Sequence, residues 1–123
     1  MLELVKKAEQ LWPETKVFAI DVANFVQSIP ENRVCNYFAE RIFGCGTGVV
    51  AYCRRAVYET TPYSFRGELA GAANSCQGVQ YFLELLNEVH TADQVTIAKL
   101  SQRASELEKT IKTIIENSQN PKS

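Results

Sequence analysis

Apolar residues recur along this chain at alternating spacings of three and four, and the rhythm spans most of its length. A segment of about residues 14–28 carries Phe18, Val22 and Phe25 in that pattern, with Ile29 at its end, and residues 32–59 carry Val34, Phe38, Ile42, Cys45, Val49, Tyr52 and Ala56. Residues 62–89 carry Phe65, Leu69, Ala72, Cys76, Val79, Leu83 and Leu86; residues 92–117 carry Ile97, Leu100, Ala104, Leu107, Ile111 and Ile114. Each set places one apolar stripe along a helix. No segment alternates with a period of two, so no sheet is expected.

The punctuation agrees with four helices. The run SIPEN at 28–32 supplies turn chemistry, and Asn32 is a candidate cap for the second helix. Thr61 is a candidate cap for the third, with Pro62 at its first position. Linkers of a few residues make neighbouring helices antiparallel, and seven-residue periodicity favours left-handed, near-parallel packing. The expected fold is all-α, an up-and-down antiparallel four-helix bundle over residues 14–118. Residues 1–12 form a short amphipathic piece with Leu4, Ala8 and Leu11 on one side, and Pro13 is either a break or a first helical position. Residues 1–13 therefore read as an N-terminal extension, and the polar residues 119–123 as a frayed tail.

The six glycines change this picture. All fall inside two predicted helices: Gly44, Gly46 and Gly48 in the second, Gly67, Gly71 and Gly78 in the third. A glycine inside a helix costs roughly 0.5–1 kcal/mol relative to alanine. Close approach of another backbone is the simplest compensation, and Gly44/Gly48 and Gly67/Gly71 are each spaced i, i+4. Beyond its core stripe the third helix also carries Tyr81, Phe82, Leu85 and Val89. A helix that is apolar on two faces in a chain of 123 residues calls for a partner, and a second copy is the simplest one. Gly44, Gly48, Gly67, Gly71, Gly78, Tyr81, Phe82 and Leu85 are thus the candidate packing and oligomer residues.

Composition bounds the function. The chain is long enough for one core, and 46% apolar with 22% charged residues is ordinary globular composition. A net charge of −1 argues against coating nucleic acid by net attraction. The signs are unevenly distributed, however: Arg33, Arg41, Arg54, Arg55 and Arg66 cluster in the middle while the lysines sit at the two ends. Cys35, Cys45, Cys53 and Cys76 have no metal-ligand spacing and read as small core or seam residues in a reducing compartment. No leader opens the chain and no apolar run approaches the ~20 residues that span a bilayer. The expectation is a cytoplasmic protein with no membrane partner.

Catalytic motifs are weak. The run GCGTG at 44–48 is neither dinucleotide fingerprint nor P-loop, and the helical rhythm runs straight through it. His90 is the single histidine and suits a helix end. Glu84 and Glu88 lie near it, but a di-iron bundle needs a Glu-x-x-His on each of two helices. Trp12 lies outside the heptads, where tryptophans cover the end of a core. No catalytic residue, cofactor or metal is expected. Arg41, Arg54, Arg55 and Arg66 are the candidate partner or nucleic-acid contacts, since guanidinium forks suit phosphate and carboxylate. Pairing with Glu40, Glu59 or Glu68 across subunits is the alternative.

These residues carry a resemblance. Residues 46–51 (GTGVVA), followed by 52–56 (YCRRA), resemble the SGTSIGANYREA stretch of the small bacterial four-helix-bundle proteins, also called 23S rRNA intervening-sequence proteins. Phe65, Leu69 and residues 81–86 (YFLELL) are similar to that family's third helix, and residues 16–20 (KVFAI) to its opening. The likeness covers about residues 16–90. It implies an up-and-down bundle assembled as a ring, typically a homopentamer. It also implies relationship to the accessory variability determinant of diversity-generating retroelements, a basic pentamer that binds a reverse transcriptase and its RNA. Tyr52 and Arg55 stand where the family often has Asn and Glu, and this chain is near neutral.

The function expected from sequence is a non-enzymatic homo-oligomeric scaffold that presents arginines of the second and third helices to a partner, for which the candidates are a reverse transcriptase with its RNA and another nucleic-acid-processing protein. The alternatives are direct RNA or DNA binding through the arginines, and a helical metal enzyme around Glu84, Glu88 and His90.

Overall fold

The computed structural model describes residues 1–90 and 93–119, and these form five helical segments: α1 (Leu2–Gln10), α2 (Trp12–Gln27), α3 (Arg33–Val57), α4 (Pro62–Val89) and α5 (Gln94–Gln119). The expected tail beyond Gln119 lies outside the described residues, as does the link at 91–92. Only Leu11 separates α1 from α2, and its backbone stays in the right-handed helical region. Pro13 sits in the first turn of α2, where its missing N–H is tolerated. Residues 1–13, expected as an extension, contribute Leu4, Ala8 and Leu11 to the same core as the other helices.

Local chemistry sets the ends. The Asn32 side chain accepts from the backbone N–H of Cys35 at 2.9 Å, and Thr61 Oγ1 from that of Ser64 at 3.1 Å. Asp93 opens α5 by accepting from the backbone N–H groups of Val95 and Thr96 and from the Thr96 hydroxyl, which holds its carboxyl below the usual range. Each of these side chains satisfies donors that a helix start leaves unpaired.

The helices form an antiparallel up-and-down bundle in which α4 packs between α3 and α5, α2 packs on both α3 and α5, and α1 extends α2 along the same two neighbours. The expected stripes of the first, third and fourth helices are all buried, from Phe18 through Leu86 to Ile114. The stripe of α3 is rotated from the expected one. Its buried residues are Cys35, Ile42, Gly46, Val49, Cys53 and Ala56, whereas Val34 is 51% exposed and Phe38, Cys45 and Tyr52 are only half-buried. The physical reason is size. A Cβ on Gly46 would lie 2.8 Å from Val22 Cγ1, so α2 approaches α3 over its smallest residues and the larger ones flank the seam.

The α4/α5 seam carries a polar clamp. Glu108 accepts from Gln77 Nε2 at 2.7 Å and Gln80 Nε2 at 3.1 Å on α4, and pairs with Lys112 at 2.8 Å. Desolvation pushes its carboxyl up, but Lys112, Gln77 and Gln80 together outweigh it and the net shift is downward. Such a cluster fixes the axial register of two helices whose apolar stripes would tolerate a slip.

Two outcomes follow for stability. Gly46→Ala should destabilise by about 1–3 kcal/mol, because fully buried Val22 cannot retreat. Gly44→Ala and Gly67→Ala, whose added Cβ would meet nothing within 4 Å, should each stabilise by about 0.5–1 kcal/mol; urea midpoints of the three variants check the contrast. Because the Glu108 carboxyl is depressed, its contribution is fully present above the ordinary glutamate value of 4.5 and is lost as pH falls through the lower folded value. Thermal unfolding of Glu108→Gln should therefore lose part of the acid-side slope shown by the native chain.

Candidate functional site

The outer side of the α3/α4 pair holds most of the residues singled out from sequence. Its geometry starts from one register. Arg55 pairs with Glu68, Tyr52 lies on Gly71, Ser75 on Gly48 and Cys45 on Gly78, so each step down α3 is matched by a step up α4. A Cβ on Gly71 would fall 2.6 Å from the Tyr52 ring, one on Gly78 2.5 Å from Cys45 Sγ, and one on Gly48 2.8 Å from Ser75 Oγ. Gly48, Gly71 and Gly78 therefore receive side chains of the same chain. Gly44 and Gly67 meet nothing, and the packing of this chain gives no reason for them.

Continued toward the start of α3, the register brings large residues into opposition. Phe38 and Phe82 have ring centres 6.4 Å apart, with Tyr37 edge-on to Phe38 at 5.7 Å and Tyr81 edge-on to Phe82 at 5.3 Å. These are favourable aromatic separations. Tyr37 remains 49% and Tyr81 58% exposed, while Phe38, Phe82 and Leu85 are half-buried. The second apolar face expected on α4 is thus a surface, and α3 doubles its width through Tyr37 and Phe38. Tyr37 was not marked by the heptad pattern, though its i, i+4 spacing to Arg41 was readable.

The four candidate arginines do not form one patch. Arg41 lies over the Tyr37 ring, 5.2 Å from its centre, and has no carboxylate partner among the described residues. Arg55 donates from Nε to Glu68 at 2.8 Å and lies 4.5 Å from the Tyr52 ring centre. The Glu68 hydrogen bond is the main reason its pKa is raised further, against a smaller lowering by desolvation. Arg54 turns toward α2, its guanidinium 4.3 Å from the Trp12 ring centre and 5.9 Å from that of Tyr58. Arg66 turns toward α5, where Nη1 donates to the Ser118 carbonyl at 3.2 Å. Arg41 and Arg55 share the outer side of α3 but stand about 21 Å apart along the helix.

Reactive chemistry is sparse here. Burial pushes the Cys53 and Cys76 thiols up to about 12, and burial also raises Cys45 although Arg41 partly opposes it. Thiols in this state are poor nucleophiles. The backbone N–H of His90 closes α4 on the Leu86 carbonyl at 2.9 Å. Among the described residues no group of three or more His, Cys, Asp or Glu is arranged to hold a metal, and no helix is long and apolar enough to cross a membrane.

Arg54 is accordingly assigned to the fold. Arg54→Ala should cost about 0.5–1 kcal/mol and shift the emission of Trp12, the single tryptophan of the chain, while Arg41→Ala should leave that emission unchanged. Unfolding followed by tryptophan fluorescence reads both effects.

No protein-family model matches this chain, and no curated protein matches it. Among solved structures it is similar to a protein of unknown function from the S23 ribosomal protein family of Bacteroides thetaiotaomicron. The TM-score is 0.78 at 20% identity, over 89% of this chain and 98% of that one. At that identity the likeness concerns the fold, and this chain has the helical fold of that family member.

Proposed function

We propose that this chain is a non-enzymatic, cytoplasmic scaffold that works as a homo-oligomer. The observation that carries the reading is the aromatic face formed by Tyr37, Phe38, Phe82 and Tyr81, two of whose rings are about half exposed. Aromatic clusters with an adjacent arginine are what protein interfaces concentrate at their centres. A ring of five copies is the assembly implied by the resemblance to the small bacterial bundle proteins, and the shared fold with an S23 family member is compatible with it. The candidate partner, a reverse transcriptase with its RNA, rests on the resemblance alone.

Direct RNA or DNA binding through Arg41, Arg54, Arg55 and Arg66 is the weaker reading. Three of these four already contact another helix of their own chain, each on a different side of the bundle. Phosphate binding gains from several cations tracking one backbone, and that arrangement is absent among the described residues.

Native mass spectrometry tests the scaffold. The expected mass is a multiple of 13.8 kDa, five chains on the ring reading, and Tyr37→Ser combined with Tyr81→Ser should shift it toward single chains. A native chain that stays monomeric at micromolar concentration would end the proposal.

A further inference from the structure

The occupant of the aromatic face is argued from the charges that border it. α3 carries Arg33, Arg41, Arg54 and Arg55 against one acid, Glu40. Beside it, α4 carries Glu68, Glu84 and Glu88 against one base, Arg66. Adjacent helices of opposite sign would be expected to neutralise one another, and at the turn end they do so through Arg55 and Glu68. At the aromatic end they do not. Arg41, Glu84 and Glu88 are exposed and have no ion-pair partner among the described residues.

Their placement is ordered. Tyr81, Glu84, Leu85 and Glu88 are spaced i, i+3, i+4 and i+7 and so share one face of α4. Tyr37 and Arg41 are spaced i, i+4 and share one face of α3, with the guanidinium resting on the ring. One edge of the aromatic face is therefore a tyrosine with a cation, and the other a tyrosine with two anions. The two edges are complementary to each other and differ in residue content. Opposite charges on the two borders of one face let a second copy set its anions against this copy's cation, either reciprocally about a two-fold axis or head-to-tail around a ring.

We infer that the aromatic face is covered by a second copy of this chain, with Arg41 of one copy set against Glu84 and Glu88 of the next. This rests on the scaffold reading and adds the contact that would build it. An interface of ordinary size takes about a tenth of a small protein's surface, here about 700 Å² of 7262 Å², which the aromatic quartet with its two charged borders is suited to centre. The charges set the direction of the contact and the rings supply the apolar burial.

Charge reversal tests it on the full-length chain, with assembly followed by native mass spectrometry and by sedimentation across a dilution series. Arg41→Glu should weaken assembly about tenfold or more, and so should Glu84→Arg combined with Glu88→Arg. Combining all three should restore it. All three side chains are exposed, so helicity and Trp12 emission should be unchanged and report that each variant folds. An oligomer that ignores both reversals would overturn the contact while leaving the scaffold intact. Weakening without restoration by the combined variant would overturn the pairing. A native chain that never associates would remove the scaffold and this contact together.

Discussion

The closeness of α3 and α4 is the constraint from which the outer side of this protein follows. Three glycines, Gly48, Gly71 and Gly78, accept Ser75, Tyr52 and Cys45 from the opposite helix, and the Arg55–Glu68 pair extends the same register to the turn. A methyl group at any of the three would fall within 2.8 Å of the side chain now resting there. Each glycine forgoes helix propensity of up to about 1 kcal/mol, and contact along the seam offsets it. Where the glycines stop, at the Phe38–Phe82 pair, two large rings meet, each partly buried against the core. The neighbouring Tyr37 and Tyr81 stay exposed beside that pair and complete the outward face.

Much of the fold was legible because long helices repeat their pattern many times. The stripes Phe18–Ile29, Phe65–Leu86 and Ile97–Ile114 were readable from apolar spacing, and the caps Asn32 and Thr61 from short polar side chains ahead of them. The second helix was misphased for a definite reason. Apolar spacing favours large residues, but α2 approaches α3 at Gly46 and the buried stripe contains Cys35 and Cys53, so bulk pointed to Val34 and Tyr52 instead. The burial of α1 was half-readable: Leu4, Ala8 and Leu11 showed a stripe, while the surface it covers is set by tertiary packing.

The candidate site was less legible, since proximity between helices decides it. Four arginines close in sequence look like a patch, yet successive residues on a helix diverge by about 100 degrees. Arg54 and Arg55 are neighbours in the chain and turn to different helices, one to Trp12 and the other to Glu68. The tryptophan outside the heptads was readable as a cover for the core, but its arginine lay 42 positions away and no local pattern links them. The aromatic quartet has the same character: Tyr81 and Phe82 were visible as excess apolar surface on α4, and Tyr37 and Phe38 join them only through the antiparallel register.

Salt distinguishes the two uses that an aromatic and arginine surface can have. Contacts to phosphate release counterions, so their affinity falls as a power of salt concentration set by the number of phosphates neutralised. Arg41 and Arg54 are the candidate arginines with no carboxylate or carbonyl partner in their own chain among the described residues, and Arg54 is turned onto the Trp12 ring, so that power would be small here. Apolar burial behaves in the opposite way, since excluded salts such as sulfate strengthen it. A face built on four rings with one cation at its border therefore favours assembly that survives salt, with the charges adding direction and rate. The same balance explains how a chain of net charge −1 can carry arginines on its outer side without acting as a general phosphate binder.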